Sequence, residues 1–121
     1  MLVTRDKDVE RRPIKLLEGL PVKGDVGVRS LMEGERMVLL EVHYPAGTAS
    51  PVHAHSHESL CYILEGTARA TVGDETFTVN AGDVCRHPEG VLHGIEAIED
   101  TTVIEIKSPV QALSQFLGTG S

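Results

Sequence analysis

The stretch PVHAHSHESLCYILEG, residues 51–66, places three histidines at alternate positions, directly before an apolar run that ends in glycine. On an extended chain, residues two apart point to the same side, so His53, His55 and His57 share a face. Imidazole nitrogens bind divalent metals at about 2.0–2.1 Å, and neighbours two apart can converge on one ion. The outer two histidines would lie about 13 Å apart at about 3.3 Å per residue. The spacing therefore predicts one chelating His-x-His pair and a different role for the third histidine.

The sequence on both sides of this stretch reads as short strands separated by turns. Runs rich in valine, isoleucine, leucine and threonine recur from Pro13 onward, with turn residues between them, as at Gly73-Asp74 and Ala81-Gly82-Asp83. Many short antiparallel strands in one small chain are typical of a sandwich or a barrel. The pattern predicts an all-β fold.

The two ends of the chain depart from the strand pattern. Residues 1–12, MLVTRDKDVERR, are charged and have no periodicity, which predicts a flexible N-terminal arm before a single domain at residues 13–121. Near the other end, Ser108-Pro109 resembles a helix start, and Val110, Leu113 and Leu117 recur at helical spacing. We therefore expect one short C-terminal helix.

Composition and charge restrict the classes of partner. The chain has 121 residues, with 18 acidic against 11 basic side chains and a net charge of −7, and it has no basic stripe to attract nucleic acid. It has no run of 18 apolar residues that would span a bilayer. Its two cysteines form no Cys-x-x-Cys pair and no disulfide framework, which favours a reducing, cytoplasmic setting. A small molecule is the expected partner.

A second pattern begins after a spacer of 15 residues that follows Gly66. Gly82 begins it, a Pro-x-Gly turn at Pro88 and Gly90 continues it, and His93 ends it at the start of a predicted strand. Together with Gly47, His53, His55 and Gly66, these residues resemble the two paired motifs of the cupin superfamily, over residues 47 to about 97. The resemblance implies a cupin jelly-roll β-barrel of antiparallel strands.

The resemblance also implies a metal centre in the mouth of the barrel. Its ligands would be His53, His55 and His93, and its ion a divalent transition metal, either Fe, Ni, Zn, Mn or Cu. Two motif positions differ, because Ser59 occupies the usual glutamate slot and Ala97 the usual asparagine slot. A serine hydroxyl is a weak, neutral ligand. The centre therefore has three histidines and open positions, or it gains a ligand from His57 or Glu58, or it has lost its metal.

Two further residues are candidates for the pocket wall. Cys61 shares the face of Ser59, and Arg86 alternates with Cys85 on a neighbouring predicted strand, where it would bind a substrate carboxylate. Packing for the cysteine and surface exposure for the arginine are the competing interpretations. His87 is expected to be structural or hydrogen-bonded. The catalytic residues remain unassigned.

Fold alone does not choose among cupin functions. The first hypothesis is a metal-dependent enzyme that acts on a small oxygenated organic molecule, with dioxygenase-like chemistry at the open metal positions. The alternatives are a sugar-acid (uronate) isomerase or ring-opening cupin, and a non-catalytic small-molecule binding or sensor module.

The apolar run after the histidines also bears on assembly. Leu60, Tyr62 and Leu64 are apolar on one face of the predicted strand, and Cys61 and Ile63 on the other. A barrel wall needs only one apolar face, so the second face predicts a homodimer, unless residues 13–31 of the same chain fold across it.

Overall fold

The structure, a computed structural model, describes residues 2–110. This span contains nine strands, all paired antiparallel, and a single 3-10 turn at Asp6–Asp8. The strands are β1 (Arg12–Leu17), β2 (Leu20–Glu33), β3 (Val38–Tyr44), β4 (Glu58–Glu65), β5 (Thr67–Val72), β6 (Glu75–Asn80), β7 (Val84–His87), β8 (His93–Ala97) and β9 (Thr101–Ser108). Within this span no helix is long and apolar enough to cross a membrane. The all-β antiparallel prediction is confirmed.

The strands form two sheets that enclose the core. The larger sheet has the order β1-β2-β3-β9-β4-β7, and the smaller sheet has the order β6-β5-β8. Strand β3 alternates between buried and half-buried residues, so that Val38, Leu40, Val42 and Tyr44 point inward. On the smaller sheet, small residues such as Ala68 in β5 complete the same core. The fold thus presents one continuous interior between the two sheets.

Hydrogen bonding over residues 2–110 does not close these sheets into a barrel, as the predicted barrel would require. The ladder is interrupted because β6 pairs only with β5, while the next strand, β7, pairs only with β4. Isolated bridges from the loop at residues 45–57 join the sheets instead, with Ala49 opposite Glu96 and His53 opposite His93. The histidine-rich segment therefore links the two sheets.

The structure can be compared with the predictions for the two ends of the chain to different extents. The predicted C-terminal helix starts at Ser108-Pro109, but Ser108 ends β9 and no helix is seen up to residue 110. The rest of this prediction falls on residues 111–121, which lie outside the described residues. At the other end, the Arg29 guanidinium bonds to the Asp6 carboxylate at 2.9 Å and to the Val9 carbonyl at 3.2 Å. The first strand begins at Arg12. In the structure, the segment predicted as an arm contacts β2 through Arg29.

The outer face of β4 is exposed. Leu60, Tyr62 and Leu64 are 44%, 43% and 46% accessible, respectively. Residues 13–31 do not cover this face, because they form β1 and β2 at the far end of the same sheet. No other segment of the described residues covers this face.

Gly66, between β4 and β5, packs closely against Asp100 and Thr101, and this contact can be tested. The φ of Gly66 is +93°, and an added Cβ would clash with the Asp100 carbonyl and lie 2.7 Å from Thr101 Oγ1. Gly66→Ala is expected to lower the free energy of unfolding by about 2–5 kcal/mol, from left-handed strain plus overpacking. The control is Gly82→Ala, where φ is +95° but no atom lies within 4 Å of the new Cβ, so only strain of about 1–2 kcal/mol applies. Equal losses in denaturant unfolding would contradict the packing argument.

Candidate metal centre

Backbone hydrogen bonds bring the histidines of the two motifs together. His53 donates its amide to the His93 carbonyl at 2.9 Å, and His93 donates back to the His53 carbonyl at 2.8 Å. The Pro88-x-Gly90 turn supports the third residue, because the Gly90 amide donates to the His55 carbonyl at 2.9 Å. The loop and the turn therefore fix the backbone on which all three imidazoles stand.

The three imidazoles form a compact buried group. His53, His55 and His93 are 5%, 5% and 3% accessible, and their ligand nitrogens all lie within 4.8 Å of one another. The ring centroids of His53 are 4.4 Å from those of both His55 and His93. This is the spacing of a set that can converge on one ion.

Each imidazole of the group is oriented through its Nδ1. The His53 Nδ1 lies 2.6 Å from the Pro51 carbonyl, the His55 Nδ1 lies 2.7 Å from a Glu18 carboxylate oxygen, and the His93 Nδ1 lies 3.1 Å from the Val91 carbonyl. All three partners are acceptors, so each Nδ1 carries the proton and each Nε2 presents a lone pair. This arrangement is typical of metal-binding histidines, whose second nitrogen donates to a carboxylate or carbonyl.

The short distance between two of these unprotonated Nε2 atoms tests whether a metal ion fits the group. The Nε2 atoms of His53 and His55 lie 2.8 Å apart, and two unprotonated nitrogens cannot hydrogen-bond each other. Metal–nitrogen bonds of about 2.0–2.1 Å that meet at a right angle hold two nitrogens about 2.9 Å apart. The residues present therefore fit a divalent ion with cis imidazole ligands.

The protonation states of these rings also suit a metal. Burial lowers the pKa of His55 to about 2 and the pKa of His93 to about 3, and it lowers the pKa of His53 as well. The positive charge of Lys107 acts in the same direction on His55. Neutral imidazole is the form that coordinates metals, so no proton has to be displaced near neutral pH.

A buried lysine lies beside Ser59, the residue that occupies the glutamate slot of the first motif. The Lys107 ammonium donates to the Ser59 hydroxyl at 3.0 Å and to a Glu105 carboxylate oxygen at 3.5 Å. Burial alone would raise the pKa of Glu105, but opposing contributions led by the positive charge of Lys107 outweigh it and lower that pKa. Glu105 therefore stays ionised and offsets the charge of Lys107.

The histidines, Glu105 and Lys107 line one narrow cavity between the sheets. Its volume is about 30 Å³, and the apolar part of its wall includes Val42 and Ile95. A volume of about 10–15 Å³ holds one water molecule. In this conformation the cavity admits only a very small ligand.

Comparison with known proteins identifies the family. A family model described as a cupin domain matches residues 40–106, which is more than half of the chain. The chain belongs to the cupin family.

Individual curated proteins are similar in sequence to parts of this chain, at low identity. Oxalate decarboxylase OxdC from Bacillus subtilis (strain 168) is 31% identical over 81 residues, which are 63% of this chain and 21% of that protein. The uncharacterized protein MJ1618 from Methanocaldococcus jannaschii is 34% identical over 70 residues, 57% of this chain and 56% of that protein. The chain thus spans about a fifth and about half of the lengths of these curated relatives.

Solved structures support the same fold. The crystal structure of a predicted oxalate decarboxylase from Thermotoga maritima matches with a TM-score of 0.79 at 22% identity, covering 89% of this chain and 99% of that one. At this identity the match concerns the fold alone.

The other predicted site residues of the cupin take different places. His57 is buried and stacks on His55 with ring centroids 4.3 Å apart, outside the three-histidine group, and its Nε2 has no hydrogen-bond partner within residues 2–110. Glu58 and Arg86 pair with each other at 3.4 Å on the outer surface, and neither lines the cavity. Cys61 lines the cavity.

Three residues near the centre were not anticipated from the sequence. Glu105 and Lys107 lie in the run TTVIEIK, in which Ile104 and Ile106 made the inward face ambiguous. Glu18 lies in the turn between β1 and β2, and nothing in the sequence indicates that this turn reaches His55. The two alternating charges in an otherwise apolar strand were the available signal for Glu105 and Lys107.

Glu18 should therefore tune the metal affinity of this cupin. Glu18→Gln removes the carboxylate that orients His55, and such changes typically weaken metal binding by about 10–100-fold. The matched control is Glu58→Gln, which removes a carboxylate from the surface pair with Arg86 and should leave the affinity unchanged. Competition with a metal chelator measures both variants. A larger loss in Glu58→Gln than in Glu18→Gln would contradict the assignment.

Proposed function

We propose that this cupin is a metal-dependent enzyme that acts on a small oxygenated organic anion, with a small carboxylate as its substrate class. In this proposal His53, His55 and His93 hold the metal, which is one of Fe, Ni, Zn, Mn or Cu. The observation that carries the proposal is the convergence of three imidazole lone pairs on a cavity that a buried ammonium group also lines.

The ligand set favours an anionic substrate. When bound, a divalent ion at this site supplies a Lewis acid that polarises a substrate oxygen. Three neutral imidazoles leave the double charge of such an ion uncompensated by its protein ligands. A carboxylate that enters the cavity brings the missing negative charge.

Lys107 is the second group that selects a negative charge. It lines the same cavity, and Glu105 and Ser59 hold its ammonium in place. In the proposed reaction Lys107 binds a substrate carboxylate and stabilises the negative charge on it. The apolar walls exclude water around this pair, which strengthens the electrostatic interaction.

The size of the cavity restricts the substrate further. A volume of about 30 Å³ disfavours aromatic or sugar-sized molecules inside the sheets and favours a very short carboxylate. A relative named oxalate decarboxylase supports oxalate as the first compound to test. Cleavage of the carbon–carbon bond of hydrogen oxalate without an oxidant yields carbon dioxide and formate.

A dioxygenase-like reaction is the second candidate. It is supported by the three-histidine set, because His53, His55 and His93 would hold an ion without filling all of its ligand positions, and the open positions would suit a substrate together with O₂. The uronate alternative has less support, because Arg86, which was expected to assist it, pairs with Glu58 at the surface. A non-catalytic binding or sensor module is the outcome if no turnover is found.

We also propose that the protein is a homodimer in the cytoplasm. The outer face of β4 joins Val84 of β7 and Ile106 of β9, which are 61% and 38% accessible, in one apolar patch. A patch of this kind is self-complementary across a two-fold axis, and a second copy would remove it from water. The cytoplasmic location is supported by the free thiols of Cys61 and Cys85.

The enzymatic proposal is tested with protein loaded separately with each of the five metals. Oxalate and other short carboxylates are supplied, and formate, carbon dioxide and O₂ consumption are measured. Decarboxylation predicts formate without net O₂ use, and dioxygenase-like chemistry predicts O₂ use in step with substrate loss. Binding without turnover in every metal form would contradict an enzyme and favour the sensor module.

Variants connect any activity to the site. His55→Ala should lose both the metal and turnover, because one of three ligands is gone. Lys107→Met should keep the metal but raise KM by about 10–100-fold, the effect of losing a charge-assisted hydrogen bond of about 1.5–3 kcal/mol. Lys15→Met, at an exposed position of β1, is the control and should change neither quantity. An unchanged KM in Lys107→Met would contradict the role of Lys107.

The dimer is tested at Leu60. Leu60→Asp would place a charge in an apolar interface and should weaken association by several kcal/mol, about 100-fold or more. Light scattering at micromolar concentration should give twice the 13.1 kDa chain mass for the wild type and the single chain mass for the variant. A wild-type mass near 13.1 kDa would rule out the dimer.

A further inference from the structure

A second group of metal-ligand side chains lies next to the three histidines. Cys61 in β4 and Cys85 in β7 are direct partners across the antiparallel pair, and His87 lies two residues beyond Cys85 on the same face. Cys61 is 2% and His87 is 7% accessible, and both cysteines are free thiols. The ligand atoms of the three residues all lie within 4.8 Å of one another.

The distances within this group are close to those of a tetrahedral metal site. The Nε2 atom of His87 is 3.9 Å from the Sγ atoms of both Cys61 and Cys85. With metal–sulfur bonds of about 2.3 Å and metal–nitrogen bonds of about 2.0 Å, a tetrahedral ion holds sulfur and nitrogen about 3.6 Å apart. The Nδ1 atom of His87 also lies 3.6 Å from the Cys61 Sγ, so coordination through Nε2 requires a rotation of this ring together with a shift of a few tenths of an ångström.

Glu105 offers a fourth ligand atom at a similar distance from the Cys61 Sγ. A Glu105 carboxylate oxygen lies 3.5 Å from the Cys61 Sγ, again close to one edge of the tetrahedron. Glu105 comes from β9, which pairs with β4 on the side opposite β7, so three adjacent strands contribute ligands. Ligands on paired strands are held by the sheet itself and need little ordering when an ion binds.

We propose that Cys61, Cys85 and His87, with Glu105 as the fourth ligand, form a second metal site that is selective for a soft or borderline ion such as Zn²⁺. Two thiolates neutralise a divalent ion, and Glu105 and Lys107 already balance each other, so the site adds no net charge to the interior. A mere packing role for the cysteines would not require an imidazole and a carboxylate around the two sulfurs.

The ligand chemistry separates the two sites. The first site presents only imidazoles, which suit several transition metals, whereas the second presents two sulfur atoms, which favour softer ions. The rings of His87 and His93 stack with centroids 3.9 Å apart and an interplanar angle of 17°, so one ligand from each site forms the wall between them. Two neighbouring centres with different metal preference would thus share this pair of stacked rings.

The test uses Co²⁺, which can report thiolate ligands in the absence of any activity. Metal-free, fully reduced protein is titrated with Co²⁺ without oxygen, and the near-ultraviolet sulfur-to-cobalt charge-transfer band is followed. Wild type should show the band, and elemental analysis after loading with Zn²⁺ should give two ions per chain. Cys61→Ser/Cys85→Ser should lose the band and one ion while it keeps the other.

The three-histidine variant separates this proposal from the one above. His55→Ala should keep the sulfur-to-cobalt band and bind one Zn²⁺. A wild type that shows the band but binds only one ion would contradict the three-histidine site and leave the second site supported. The second site is overturned if reduced wild type shows no band, or if the double serine variant binds as many ions as the wild type. Circular dichroism of the variants checks that each is folded, and the band of the wild type does not depend on any variant.

Discussion

Two reciprocal backbone hydrogen bonds between His53 and His93 join the two sheets at the candidate metal site. They join a loop that leaves the large sheet to the first residue of a strand in the small sheet. The sheets are not connected by a continuous ladder in the described part of the chain, so this bridge and the one at Ala49 position them relative to each other. The same pair of bonds sets the distance between two of the three proposed metal ligands. The geometry of the candidate site therefore depends on one of the bridges that join the two sheets.

The interior that this contact encloses is unusually polar for so small a core. Buried polar and ionisable side chains are tolerated only when they are hydrogen-bonded or paired. The structure meets this requirement in two ways, because the imidazoles are neutral and Nδ1-bonded, and the buried lysine has a carboxylate beside it. His57 is the exception within residues 2–110, since its buried Nε2 has no partner. These arrangements keep the interior close to neutral before any ion enters.

The sequence indicated the strand-rich fold and the His53–His55 pair because both depend on local spacing, whereas His93 was implied by the resemblance of the second motif. Alternation placed His53 and His55 on one face, and the glycine and proline turns marked the strand ends. The contacts that it did not indicate depend on pairing between distant segments. Cys61 and Cys85 become neighbours only because β4 and β7 are adjacent, and Glu18 reaches His55 only through the shape of a turn 37 residues away. The alternation in β9 was ambiguous because isoleucines and charges occupy opposite faces, and the charges proved to be inside.

The contact between Ser59 and Lys107 has a consequence for related sequences. Position 59 faces position 107 directly across β4 and β9, so the side chains at these two places share one buried volume and one charge balance. A relative with glutamate at position 59 and lysine at position 107 would place an ammonium group against a metal-binding carboxylate, and the two cations would compete for it. Such relatives should therefore carry a neutral residue at 107, and a lysine there should accompany a small side chain at 59. The pair can serve as a marker in an alignment that sorts this subgroup of cupins from those with a four-ligand centre.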